Sequence, residues 1–168
     1  YLHEQATREQ FSLGRFLDVA PAIETENGMV KALLFPEELP EGCVDESHFK
    51  KALENLDQYF PVYGLTDEFD ASVCLFSKFF GWKTPYYMVR NARSGNHQVD
   101  GGVLSETDLG RLRELNEFDL RLYEVVKAKF MTLLEAELGA DWRGVVEGFS
   151  KSNSQLKGKG LFIARALY

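Results

Sequence analysis

The stretch Asp45 to Trp82, DESHFKKALENLDQYFPVYGLTDEFDASVCLFSKFFGW, decides the fold class of the 168-residue chain. Asp45 is a good helix-capping residue, and behind it Phe49, Ala52, Leu53 and Leu56 recur at the spacing of one apolar helix face. Tyr59 to Leu65 (YFPVYGL) is short, aromatic and β-branched and predicts a strand, with Pro61 suited to its first residues or to an edge. Thr66 then opens a second helix whose Phe69, Val73, Phe76 and Phe80 share a face, and which stops at Gly81. Helix, strand, helix in this order predicts an α/β fold.

Working outward, Ser12 to Asp18 and Asn27 to Phe35 are two short helical stretches separated by Pro21, the second closed by Pro36 and Pro40. After Trp82, Tyr86 to Val89 predicts an extended run and Ala92 to Gly102 a polar, glycine-rich loop. Ser105 and Asp108 resemble a capping box opening a helix to Leu115. Asn116 caps, or bends into, a longer helix to Leu138 with Leu115, Phe118, Leu122, Val125, Val126, Phe130 and Leu133 as its stripe, and Gly139 stops it. Asp141 to Phe149 predicts a further short helix, and Lys151 to Gly160 a flexible basic loop before the apolar Leu161 to Tyr168. There is no internal repeat. One or two strands need partners to form a stable sheet, so the pattern predicts a single unit that is part of a larger α/β domain.

The net charge of −7 argues against a nucleic-acid or acidic-membrane binder, which would need a basic face. The charge is unevenly spread. Residues 1–70 carry 15 acids and 5 bases, whereas Ala71 to Val99 holds Lys78, Lys83, Arg90 and Arg93 without an acid. Residues 100–147 hold 11 acids and 6 bases, and Gly148 to Tyr168 has four bases and again no acid. Two acid-free islands leave room for a small anion.

Tyr1 stands where a start Met would, no targeting peptide is legible, and no apolar run is long enough to span a bilayer, so the expectation is a fragment or processed piece. Cys43 in a connector and Cys74 in an apolar helical pattern predict two ordinary thiols, and with no Asn-x-Ser/Thr sequon the chain leans towards the cytoplasm. His3, His48 and His97 have no metal-ligand spacing, so no metal site is expected. Glu24, Glu26, Glu37 and Glu38 read as solvated connector charge. No nucleophile elbow, dinucleotide fingerprint or Walker loop is present.

Two loops can hold an anion. Lys157 to Gly160 combines backbone donors with positive charge, as an anion nest does, although flexible basic loops are common. Arg90 to His97 (RNARSGNH) gathers two guanidiniums, a hydroxyl, two carboxamides, an imidazole and a glycine with no competing carboxylate, a donor set matched to phosphate oxygens. A solvated connector is the plain alternative for it.

The order of the pieces from about residue 10 to 138 resembles the C-terminal half of the sulfotransferase family that uses 3′-phosphoadenosine 5′-phosphosulfate (PAPS), especially its carbohydrate-type branch. The likeness rests on the turn Tyr63-Gly-Leu-Thr-Asp67, the ending Gly81-Trp82, Leu104-Ser-Glu106, and Asn116, Asp119, Leu122 and Tyr123 in an Asn-x-x-Asp-x-x-Leu-Tyr pattern. It implies a P-loop-like α/β fold and transfer of a sulfuryl group to an acceptor hydroxyl, with a small molecule or glycan as acceptor. The phosphosulfate loop and usual base belong to the family's N-terminal half, which these residues do not contain. It also implies that Arg93, Ser94 and Gly95 hold the nucleotide's 3′-phosphate, Ser94 standing where the family has Lys, and that Tyr63 lies near the adenine. His97 then has three readings: a substrate-side base, a donor to substrate, or a plain loop residue. The location implied is cytoplasmic, or the Golgi lumen if a membrane anchor lies upstream. The rival from another class is a noncatalytic helical interaction module.

Overall fold

A computed structural model describes residues 13–19, 25–83, 86–87 and 105–157. The regular elements are α1 (Leu13–Val19), α2 (Gly28–Ala32), a 3-10 turn (Pro36–Glu38), α3 (Glu46–Tyr59), α4 (Phe69–Phe80), α5 (Glu106–Leu115), α6 (Glu117–Leu138) and α7 (Trp142–Lys157). Every regular element among the described residues is therefore a helix. This corrects the α/β expectation, and nothing identifies a P-loop-like fold. The chain divides into two compact units, residues 1–60 with 96–125 and residues 61–95 with 126–168.

The predicted strand fails for a local reason. Tyr59 is still the last residue of α3, Phe60 caps it, and 61–65 run on without a partner strand. Pro61 has no N–H to offer a ladder. At Leu65 both backbone groups are taken by one side chain: its N–H donates to Ser72 Oγ at 2.8 Å, and the Ser72 hydroxyl reaches the Leu65 carbonyl at 3.0 Å. A serine one turn into α4 thus occupies the hydrogen bonds a strand would need. The same packing explains Gly64, where an added Cβ would lie 2.7 Å from Ser72 Cβ. Gly81 ends α4 in the left-handed region at φ 68°, as the sequence predicts.

In the first unit the two ends of the chain's order are tied by a reciprocal cap. Asn27 precedes α2 in the left-handed region (φ 43°), so its own side chain does not cap that helix. Instead its Oδ1 accepts from the N–H groups of Phe118 and Asp119 at 3.0 and 3.1 Å, the open donors of α6. Asp119 returns the service: its carboxylate accepts from Met29 N and Val30 N at 2.9 and 2.8 Å, the open donors of α2. Asn116 completes the knot, its Oδ1 taking the Asn27 N–H at 3.0 Å. Each helix start borrows its cap from the other, which satisfies donors that would otherwise be buried unpaired.

Around this knot, α2 packs on α3, and Val30, Leu34, Phe49, Ala52, Leu56 and Leu122 are buried. The Arg121 guanidinium lies over Phe49 and Phe118, 4.4 and 5.3 Å from their ring centres, and forks onto Glu46 at 2.8 and 3.2 Å. Asp45 caps α3 as predicted, accepting from Ser47 N and His48 N; the Ser47 hydroxyl, which donates to the same carboxylate at 2.6 Å, and then the His48 N–H hold its carboxyl down at about 2.

In the second unit α4 packs on α7 over Ala71, Cys74, Leu75 and Trp142, with Val126, Phe130 and Leu134 of α6 also buried. The face predicted for α4 is not the buried one. Phe69 and Phe80 are exposed and Val73 and Phe76 are half-buried, because the interior takes the side of the helix that carries Ala71, Cys74 and Leu75 and turns most of the phenylalanine face outward. The predicted basic loop from Lys151 is helical as far as Lys157. Trp142, Val146, Phe149 and Asn153 share one face of α7, so packing overrides the weak helix propensity of Ser-Asn-Ser.

Reciprocity makes a quantitative expectation. Asp119→Ala costs about 0.5–2 kcal/mol as a lost cap, and Asn27→Gly, which suits the left-handed backbone there, costs less; because both belong to one knot their effects fall short of additivity in a denaturant double-mutant cycle. Strict additivity would show the two caps to be independent.

Candidate functional site

Of the residues singled out for nucleotide binding, Tyr63 lies among the described residues, whereas Arg93, Ser94, Gly95 and the base candidate His97 lie outside them. Lys157 closes α7, and the remainder of the Lys157 to Gly160 nest also lies outside. Tyr63 is half-buried in the second unit, its ring 6.4 Å from Phe130 and tilted by 38°. The bend around Gly64 and the Leu65 to Ser72 clamp hold its backbone beside the start of α4.

The residues just upstream of the 88–104 stretch are anchored firmly. Tyr87 Oη donates to Asp70 Oδ1 at 2.6 Å, and Tyr87 N donates to the buried Asn153 Oδ1 at 3.1 Å. Its ring meets Phe69 edge-on at 4.8 Å and Phe149 at 6.3 Å. One tyrosine thereby ties this strip of chain to both α4 and α7. The Asp70 carboxylate, with some help from burial, pushes the Tyr87 hydroxyl up to about 12. Sequence reading missed this anchor, since no periodicity links Asp70, Tyr87 and Asn153.

The first unit contains a cleft of about 400 Å³ lined by Leu17, Glu26, Cys43, Arg111, Glu114 and Phe118, among others. Two of its charged groups, Glu26 and Arg111, already have partners. Glu26, read from sequence as solvated, is buried and accepts from Val44 N at 2.6 Å with Lys31 Nζ 3.8 Å away. Arg111 pairs with Asp18 at 2.9 Å. The Glu26 carboxylate, by hydrogen bonding and charge, lifts the exposed Cys43 thiol above its ordinary value, which is the reverse of nucleophile activation. Burial lifts Cys74 to about 11, so this thiol is inert as well. Glu38 too is structural: its carboxylate accepts from Phe35 N at 2.9 Å and from the Asn55 side chain at 2.7 Å. Among the described residues no cluster of metal-ligating side chains occurs, and no helix is long and apolar enough to cross a membrane.

No protein family matches the chain, and neither the curated proteins nor the solved structures contain a match to it.

The Tyr87 anchor has a measurable pH signature. A hydroxyl held protonated by Asp70 stabilises the fold fully below about pH 10, the ordinary tyrosine value, and that contribution is lost as pH rises through about 12. Absorbance titration of tyrosinate should show one late-titrating tyrosine that vanishes in Tyr87→Phe and moves down in Asp70→Asn. A parent in which every tyrosine titrates near 10 would contradict the anchor.

Proposed function

We propose that this chain takes part in sulfuryl transfer from PAPS to an acceptor hydroxyl, with Arg93, Ser94 and Gly95 holding the donor's 3′-phosphate and Tyr63 beside its adenine. One observation carries the reading. Part of the likeness to sulfotransferases falls on residues that shape the described helices: Gly64 where no Cβ fits, Gly81 at a left-handed helix end, Asn116 and Asp119 in the reciprocal cap, and Leu122 in the core. The Tyr87 anchor supports it further, since a phosphate loop gains from a fixed point of departure.

In this reading the acceptor hydroxyl gives its proton to a base, which the likeness assigns to the family's N-terminal half. The oxygen then attacks sulfur in line. The new O–S bond forms as the bond from sulfur to the 5′-phosphate oxygen breaks, and 3′-phosphoadenosine 5′-phosphate leaves. The residues of this chain contribute position and charge neutralisation, which carry most of such group transfers. A cytoplasmic setting goes with two free thiols, Cys43 and Cys74.

The second reading, a noncatalytic helical interaction module, is favoured by the all-helical described residues and by large exposed side chains such as Phe35, Tyr59, Phe80 and Trp82. Calorimetry of the full-length protein with 3′-phosphoadenosine 5′-phosphate separates the two. The parent should bind and Arg93→Ala should bind about 10- to 100-fold more weakly, the worth of one charge-assisted hydrogen bond. Equal binding by the two overturns the phosphate assignment, and a parent that does not bind leaves the module.

A further inference from the structure

The strip Lys78-Phe-Phe-Gly-Trp-Lys83, at the end of α4 and just beyond it, is exposed at every position. Phe79, Phe80 and Trp82 remain 47%, 55% and 51% exposed although they touch one another. Phe79 meets Phe80 edge-on at 5.1 Å, Phe80 stacks on Trp82 at 5.5 Å, and Phe76 closes the group at 6.4 Å from Trp82. Self-contact thus gathers four rings into one apolar patch that the unit leaves in water. Isolated exposed phenylalanines need no explanation, but a contiguous aromatic patch does.

A lysine borders the patch on each side, and neither Lys78 nor Lys83 makes an ion pair with any described residue. The nearest acid on α4 is Asp70, eight residues before Lys78 and so about 12 Å away along the axis. That exceeds the screening length of about 8 Å at physiological salt. On α4 itself, therefore, no acid lies within a screening length of Lys78.

We propose that this aromatic and basic strip docks the protein on the surface of a phospholipid bilayer carrying anionic headgroups. Tryptophan and phenylalanine rings insert at headgroup depth while the flanking ammonium groups meet phosphate and carboxylate outside. Neither signal suffices alone, and the combination produces reversible attachment. Charge complementarity selects this occupant over an apolar one. The inference stands apart from the sulfuryl-transfer reading.

The test uses the full chain with phosphatidylserine-containing vesicles and with pure phosphatidylcholine vesicles, followed by co-sedimentation and tryptophan emission. Trp82 is exposed and Trp142 buried, so a blue shift on mixing reports on the patch. Expected are sedimentation and a blue shift with the anionic vesicles, both weakened by added salt. Lys78→Glu with Lys83→Glu should reduce partitioning about 30-fold or more, as two lost surface cations predict. Phe79→Ser with Phe80→Ser should abolish it. Leu120→Ser, an equally exposed apolar position in the first unit, should bind as the parent does and controls for general stickiness. No shift with either vesicle, equal loss in Leu120→Ser, or a parent dimer that Phe79→Ser with Phe80→Ser dissociates would each overturn the proposal, the last by showing a second copy on the patch.

Discussion

The first unit depends on a problem of unpaired donors. A five-residue helix such as α2 has hardly more hydrogen bonds than open ends, and cannot persist by propensity. It is held because Asp119, some ninety positions later, fills its N-terminal donors, while Asn27 fills those of α6. Cap exchange over that separation fixes the direction in which α6 leaves the knot, and so which of its residues reach Val30, Phe49 and Leu56. The burial of Leu122 one turn after Asp119 follows from the same register.

The second unit solves a similar problem with a single hydroxyl. Ser72 Oγ accepts from the Leu65 N–H, and its single proton is shared between the Leu65 and Glu68 carbonyls at 3.0 and 2.9 Å, so the bend closes on the following helix rather than on a strand. Close approach at Gly64 is the condition for that clamp. With Ala71, Ser72, Cys74 and Leu75 of α4 facing the interior, Phe69, Phe79 and Phe80 face outward, and the exposed ring cluster lies at its end.

Much of the helical framework was legible from local signals. Asp45, Ser105, Gly81 and Gly139 mark ends that depend on groups within one turn, and the apolar spacing of Phe49, Ala52 and Leu56 names a face that is in fact buried. The candidate site was legible only in part. Composition drew attention to the 90–97 loop, but nothing local connects it to Asp70 or Asn153, whose bonds to Tyr87 bridge 17 and 66 positions. Glu26 and Glu38 looked like connector charge because burial of a carboxylate depends on which backbone N–H groups arrive from elsewhere.

The amino-acid sequence by itself determined the helix ends at Asp45, Gly81, Ser105 and Gly139, that Cys74 is a core thiol, and that positive charge gathers on an acid-free stretch, since each depends on neighbours a few positions away. Tertiary structure alone decided that YFPVYGL is not a strand, that the phenylalanine face of α4 looks outward, and that Asn116 and Asp119 serve as caps for a distant helix. A strand exists only where a second backbone supplies its hydrogen bonds, and a buried face exists only where a second surface covers it. Both partners are chosen by the folded chain as a whole.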